Sequence, residues 1–120
     1  MFELMIKDHI SSAHLLRGYP GKCQNLHGHT WTIEVFVCSD TLNELGMVID
    51  FSYLKRELKS FLEHMDHICL NDMEHFQSVN PTAENMASYI LTEFQKRLED
   101  VSISKVRVWE SPHAYAEFRS

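Results

Sequence analysis

Hydrophobic and polar positions alternate with a period of two at the start of the chain, where Phe2, Leu4 and Ile6 interleave with Glu3, Met5 and Lys7. This spacing predicts a strand reaching towards His14. Arg17 to Gln24 (RGYPGKCQ) carries Gly18, Pro20 and Gly21 and reads as a loop. Thr30 to Cys38 is β-branched and aromatic, with Trp31, Ile33, Val35 and Val37 on one face, and pairs with the first strand as a hairpin. The period then lengthens. Asp50-Phe51-Ser52 starts a helix whose apolar stripe is Phe51, Leu54, Leu58, Phe61, Leu62 and Met65. Asn80-Pro81-Thr82-Ala83-Glu84 starts another, with Thr82 as N-cap and Asn85 where a full capping box has Glu or Gln. Its stripe is Met86, Ala87, Ile90, Leu91, Phe94 and Leu98. Val101 to Glu110 and Ala114 to Arg119 read as closing strands around a Ser111-Pro112-His113 turn. Val101 and Ile103 have one parity and Val106 and Val108 the other, so the third strand either starts near Lys105 or carries a bulge near Ser104.

The order β-β-α-α-β-β predicts an α+β fold: one four-stranded antiparallel sheet with both helices on one face. The length, 120 residues, predicts a single domain spanning 1–120. Such a chain buries roughly two thirds of its unfolded surface without disulfide staples. An open sheet leaves two edges unpaired, which predicts an oligomer. Lys and Arg total 11 against 17 Asp and Glu, a net charge of −6. That balance argues against nucleic acid and anionic membranes as partners. No apolar run approaches the roughly 20 residues of a membrane span. Met1 to His9 is acidic and mixed rather than basic then apolar, so no signal peptide is evident. Cys23, Cys38 and Cys69 are too widely spaced for a disulfide framework, which predicts a cytoplasmic protein, with Cys38 and Cys69 in the core.

Histidine is the unusual count, at eight. In an extended chain His27 and His29 point the same way, and Gly28 leaves room beside them. His14 comes close to His27 if the hairpin forms. Three imidazoles with one position left open match a catalytic zinc site; the bland reading is a pair of surface histidines. The spacing of His27, His29 and Glu34 also matches the metal motif of cupins, but Glu34 has the opposite strand parity and a jelly roll has no place for two central helices. Cys23 is a small buried residue, a fourth ligand that closes the site, or a reactive thiol. Asp66 beside His67 makes a tunable proton carrier if the two side chains touch. Glu110 ends an apolar strand, either as a solvated terminus or as a carboxylate gripping a ring with adjacent N–H donors. His9, His64, His75 and His113 have no partner pattern and read as surface residues.

The ordered motifs Ile10-Ser-Ser-Ala-His14, Cys23-Gln-Asn-Leu-His27-Gly-His29, Gly46-Met-Val-Ile-Asp-Phe51, Asp66-His-Ile-Cys-Leu-Asn71, Asn80-Pro-Thr-Ala-Glu-Asn85 and Trp109-Glu110 together resemble the 6-pyruvoyl-tetrahydropterin synthase family. Ile10 departs from it, the family often having Phe there. The short interval between Cys23 and His27 resembles its 6-carboxy-5,6,7,8-tetrahydropterin, or queuosine (7-deazaguanine), branch. The resemblance implies zinc on His14, His27 and His29, Cys23 as catalytic base, Asp66 and His67 as a proton-transfer pair, and Glu110 as pterin anchor. It also implies a pterin pocket lined by Thr82 and Glu84. It implies the tunnelling fold (T-fold), in which subunit sheets join into a barrel with sites between subunits, and a homo-oligomer, commonly a hexamer of paired trimers. The implied reaction takes 7,8-dihydroneopterin triphosphate to 6-carboxy-tetrahydropterin, acetaldehyde and triphosphate. The alternatives are 6-pyruvoyl-tetrahydropterin synthase or a related side-chain lyase, and a zinc-binding module without catalysis. A bare metal binder has no need of Cys23 or Asp66-His67. A triphosphate needs local basic residues, for which Arg17 and Lys22 are the candidates.

Overall fold

The computed structural model describes residues 1–21 and 24–120. Strands β1 (Phe2–His14) and β2 (His27–Ser39) pair antiparallel in unbroken register, from Phe2 opposite Ser39 to His14 opposite His27. β3 (Ser102–Ser111) and β4 (Ala114–Arg119) complete an antiparallel sheet of order β1-β2-β3-β4. Ser111 ends β3 rather than starting the turn. Parity along β2 decides which face is covered: Trp31, Ile33, Val35 and Val37 are all buried.

The parity conflict in β3 is resolved by a bulge. Phe36 faces Lys105 but Val37 faces Ile103, so Ser104 is the extra residue. Without it Val101 and Ile103 would turn to the other face. Burying such side chains is worth about 1.5–3 kcal/mol each, more than the roughly 1 kcal/mol of a disturbed ladder hydrogen bond, so the bulge is the cheaper arrangement.

Helix α1 (Phe51–Leu62) starts where Asp50 Oδ1 accepts the Ser52 N–H at 2.8 Å. Its buried face is Leu54, Leu58, Phe61 and Leu62; Phe51, expected in that stripe, is exposed and instead lines an apolar groove with Phe2, Leu4 and Leu42. Met65 is buried from a short 3₁₀ turn that follows. The sequence reading missed the single-turn helix α2 (His75–Ser78), which buries Phe76. Helix α3 (Ala83–Gln95) is capped by Thr82, whose Oγ1 accepts the Asn85 N–H at 3.1 Å. The Gln95 side chain ties its end to β3, accepting from Ile103 N–H at 2.7 Å and donating to the carbonyls of Leu98 and Val101. Leu98 is buried beyond the helix end.

Among the described residues no helix packs on the opposite face of the sheet. There Glu34 accepts from Trp109 Nε1 at 2.6 Å, and Glu117 accepts from both Arg107 and Arg119 at 2.6 Å. Arg107 and Lys105 lie over the Phe36 ring. Cys38 and Cys69, expected in the core, are half-buried instead: Cys38 is on this uncovered face, and Cys69 follows a segment that runs along the sheet edge. That segment covers part of β1, where His67 N–H donates to Ser11 C=O at 2.7 Å and Ala13 N–H to Ile68 C=O at 2.9 Å. Among the described residues no helix is long and apolar enough to cross a membrane.

Candidate metal centre

The hairpin register brings the three histidines together. His14 faces His27 across the last rung, and His29, two residues on, points to the same side. Ring centroids are 4.5 Å apart for His14 and His27, 5.1 Å for His14 and His29, and 4.8 Å for His27 and His29. Trp31 forms the floor, its ring edge-on to His14 and His29 and its Nε1–H donating to Ser12 C=O at 3.2 Å.

Hydrogen bonds assign the tautomers. His14 Nδ1 lies 2.8 Å from Pro81 C=O, and His27 Nδ1 lies 2.7 Å from Asn25 C=O. A carbonyl only accepts, so each Nδ1 carries the proton and each Nε2 presents a lone pair, the arrangement typical of metal-bound histidine. His14 Nε2 and His29 Nε2 are buried with no hydrogen-bond partner. Orphaned buried nitrogens are costly unless something else occupies them. Burial lowers the pKa of His14 and of His29, keeping both rings neutral as ligands must be. Glu110 opposes that shift at His29.

Glu110 belongs to the same cluster. A second register shift between Trp109 and Ser111 makes it the extra residue of a bulge at the β3–β4 turn. Its Oε1 lies 3.2 Å from His29 Nε2. Donor atoms of His14, His27, His29 and Glu110 all fall within 4.8 Å of one another, so these residues can hold a metal ion. Glu34, the carboxylate of the jelly-roll alternative, is on the other face, as its parity requires.

Asp66 and His67 do touch. Asp66 Oδ1 accepts the Ser11 N–H at 2.8 Å and lies 3.0 Å from His67 Nδ1. The backbone hydrogen bond is the main reason the Asp66 carboxyl sits below its usual pKa, with His67 adding to it. His67 holds a left-handed backbone, φ 57°, with its ring largely exposed. A groove of about 610 Å³ is lined by both His67 and His29, with Ser11, Ala13 and Thr30 between them.

Cys23 and Lys22 lie outside the described residues. Thr82 is engaged as a helix cap, and Glu84 is exposed in the first turn of α3. Arg17 donates through Nη2 to the carbonyls of Phe76 and Val79 at α2, which fixes its guanidinium there with its charge unpaired by these bonds. Of the histidines read as surface residues, His64 bonds Tyr89 Oη at 2.9 Å and His75 stacks on the same ring at 4.8 Å.

Two asparagines in the motifs prove to be clamps that sequence reasoning missed. Asn71 accepts from Leu15 N–H at 2.9 Å and donates to Leu15 C=O at 3.0 Å; Asn80 does the same to Arg17, both at 3.0 Å. Each side chain imitates a paired strand and fixes the chain just beyond His14. Their signal was their place inside the motifs, next to no chemistry.

The whole arrangement has known counterparts. Residues 3–120 match the family model for 6-pyruvoyl tetrahydropterin synthase. A Haemophilus influenzae protein named 6-carboxy-5,6,7,8-tetrahydropterin synthase is 36% identical over an alignment covering 99% of both chains. One of the same name from Bacillus subtilis is 35% identical over 98% of this chain and 85% of its own. The structure of Caenorhabditis elegans 6-pyruvoyl tetrahydropterin synthase superposes with a TM-score of 0.90 at 27% identity, covering 99% of this chain and 95% of that one. The sheet with its helices on one face is thus the T-fold of those enzymes, and the chain belongs to the 6-pyruvoyl tetrahydropterin synthase family.

Proposed function

We propose that this chain is a zinc-dependent 6-carboxy-5,6,7,8-tetrahydropterin synthase, converting 7,8-dihydroneopterin triphosphate and one water to 6-carboxy-tetrahydropterin, acetaldehyde and triphosphate. The observation that carries the reading is the convergence of His14, His27 and His29, with the Nε2 atoms of His14 and His27 unprotonated and that of His29 buried without a hydrogen-bond partner. Tetrahedral zinc suits three imidazoles and one exchangeable position. When bound, zinc supplies a Lewis acid for the substrate's side-chain oxygens and acidifies the neighbouring C–H.

The protein's residues divide the remaining work. Cys23, four positions before His27, takes the carbon-bound proton as a thiolate. Asp66, itself held by the Ser11 N–H, fixes the His67 ring through Nδ1, which leaves Nε2 to carry protons. Glu110 accepts hydrogen bonds from the pterin 2-amino and N3 groups and so selects which carbon faces the centre. Such positioning is worth several kcal/mol of barrier. Thr82 and Glu84 border the ring site. No external reductant is required, because the ring gains hydrogen as the side chain is oxidised. The protein acts in the cytoplasm, in 7-deazaguanine (queuosine) synthesis, as a homo-oligomer and commonly a hexamer. The unpaired outer edge of β4 and the helix-free face of the sheet support assembly.

A second reading, 6-pyruvoyl-tetrahydropterin synthase, is favoured by the likeness to the C. elegans enzyme. The relatives of higher identity carry the carboxy-tetrahydropterin name. Mixing zinc-loaded protein with dihydroneopterin triphosphate decides between them. Stoichiometric acetaldehyde is expected; a product retaining all side-chain carbons supports the pyruvoyl reading, and absence of turnover by protein with full zinc supports a metal-binding module.

A further inference from the structure

Several cations among the described residues have acidic partners. Lys96 pairs with Glu93, Lys105 with Glu3, and Arg107 and Arg119 with Glu117. Arg17 has none: no ion pair among the described residues includes it. Yet it is held. Its Nη2 donates to the carbonyls of Phe76 and Val79, and its backbone is clamped in both directions by Asn80. Carbonyls fix a guanidinium without neutralising it, and the N–H groups on Nε and Nη1 have no acceptor among the described residues. The place of this charge follows from the chain. Val79 C=O bonds Arg17 Nη2 at 2.9 Å and Pro81 C=O bonds His14 Nδ1 at 2.8 Å. Two residues of chain span at most about 7 Å, so guanidinium and imidazole hang from neighbouring points of one short segment. A fixed, uncompensated cation thus stands beside the three-histidine centre of a protein whose net charge is −6.

We propose that Arg17 binds the triphosphate tail of the substrate through its unused N–H groups, and that it makes the site select a phosphorylated dihydropterin over the free alcohol. The inference rests on the pterin reading above and adds to it the residue that reads the far end of the substrate. Hydrogen bonds from a guanidinium to phosphate oxygens are charge-assisted and are among the strong ones. A side chain already fixed by Phe76 and Val79 loses little further freedom when the anion arrives. In an acidic protein a local positive charge also draws a polyanion towards the one place that accepts it. The carbonyls keep Nη2, and the tail takes the donors that remain.

The test uses zinc-loaded, full-length protein and inorganic triphosphate, with affinity measured by titration calorimetry. Arg17→Gln is expected to bind triphosphate about ten- to hundredfold more weakly than wild type, the worth of a hydrogen bond to a charged group. Arg17→Lys, which keeps the charge, is expected to recover most of the loss. Dihydroneopterin, which has the ring and no phosphate, is expected to bind wild type and Arg17→Gln alike. A measurement on the wild type alone needs no variant to fold. Phenylglyoxal modifies exposed arginines, and peptide mass spectrometry locates the sites. Triphosphate is expected to protect Arg17 and to leave Arg56, exposed on α1, unprotected. Equal triphosphate affinity in wild type and Arg17→Gln overturns the proposal, as does an Arg17 that triphosphate fails to protect. An equal loss for dihydroneopterin also overturns it, since Arg17 would then only hold α2 in place. Failure of the pterin reading shows separately: dihydroneopterin would not bind, while the effect of Arg17→Gln on triphosphate stayed intact.

Discussion

His14 and His27 stand opposite each other on the last rung of the β1–β2 hairpin, with ring centroids 4.5 Å apart. They are not equivalent. His14 is buried and anchored to Pro81 in a distant segment, whereas His27 is half-buried and anchored to Asn25 two residues away. Either alanine variant is expected to lose the metal, measured by elemental analysis of the purified protein. In metal-free protein, His14→Ala is expected to cost about 1–3 kcal/mol, because it leaves a buried carbonyl without its donor. His27→Ala is expected to cost less than about 1 kcal/mol. Urea titrations of the two variants check the difference; equal costs would contradict it.

His67 stores backbone strain at a position assigned to proton transfer. Its φ of 57° is a conformation glycine adopts freely. A strained residue costs of order 1–3 kcal/mol, of which glycine's greater unfolded freedom gives back about 0.5–1. The lost contact with Asp66 weighs little on a ring so exposed. His67→Gly is therefore expected to be as stable as wild type or up to about 2.5 kcal/mol more stable, with turnover lost. Denaturation and product assays on one preparation test both halves, and marked destabilisation would refute the strain argument.

Asn71 and Asn80 make the same pair of bonds in different surroundings. Those of Asn71 are part-buried and those of Asn80 exposed. Asn71→Ala is expected to cost about 1–3 kcal/mol and Asn80→Ala less than about 1 kcal/mol, because water replaces the exposed bonds. Since Asn71 fixes the residue after His14, its variant is also expected to bind metal more weakly, seen in chelator competition.

Glu117 is held below the ordinary carboxylate pKa of 4.5 by hydrogen bonds from Arg107 and Arg119. A lowered folded value means stability that is complete above the unfolded pKa and is lost as pH falls through the folded one. Glu117→Gln is expected to be about 1–3 kcal/mol less stable than wild type near neutrality. The gap should narrow below pH 4.5 and close at still lower pH. A gap independent of pH would mean that the charge of Glu117 contributes nothing.

Local features were readable because their causes are local. Parity alone put His27 and His29 with Trp31 on one face, the capping chemistry of Asp50 and Thr82 marked both long helices, and the clash of parities in β3 announced the bulge at Ser104. What escaped depends on partners far along the chain. Nothing near His14 announces the Pro81 carbonyl, nor does anything near Arg17 announce the carbonyls that hold it. Cys38 and Cys69 have apolar sequence neighbours, but one lies on the helix-free face and the other at the sheet edge, and sequence hydrophobicity does not distinguish these places from the core. The short helix α2 is a single turn held by the burial of Phe76, too brief for any period to show.

The bond from His14 to Pro81 has a mechanical corollary. Pro81 immediately precedes the residue that caps α3, so the buried imidazole fastens the start of that helix to the sheet across 67 positions of sequence. An ion on His14 Nε2 tightens the fastening and its removal slackens it. Amide protons of Asn85 and Met86, in the first turn of α3, should exchange with deuterium faster after chelation, while those in the middle of β2 keep their rates. Amide exchange at the start of α3 thus becomes a gauge of whether the centre beneath it is filled.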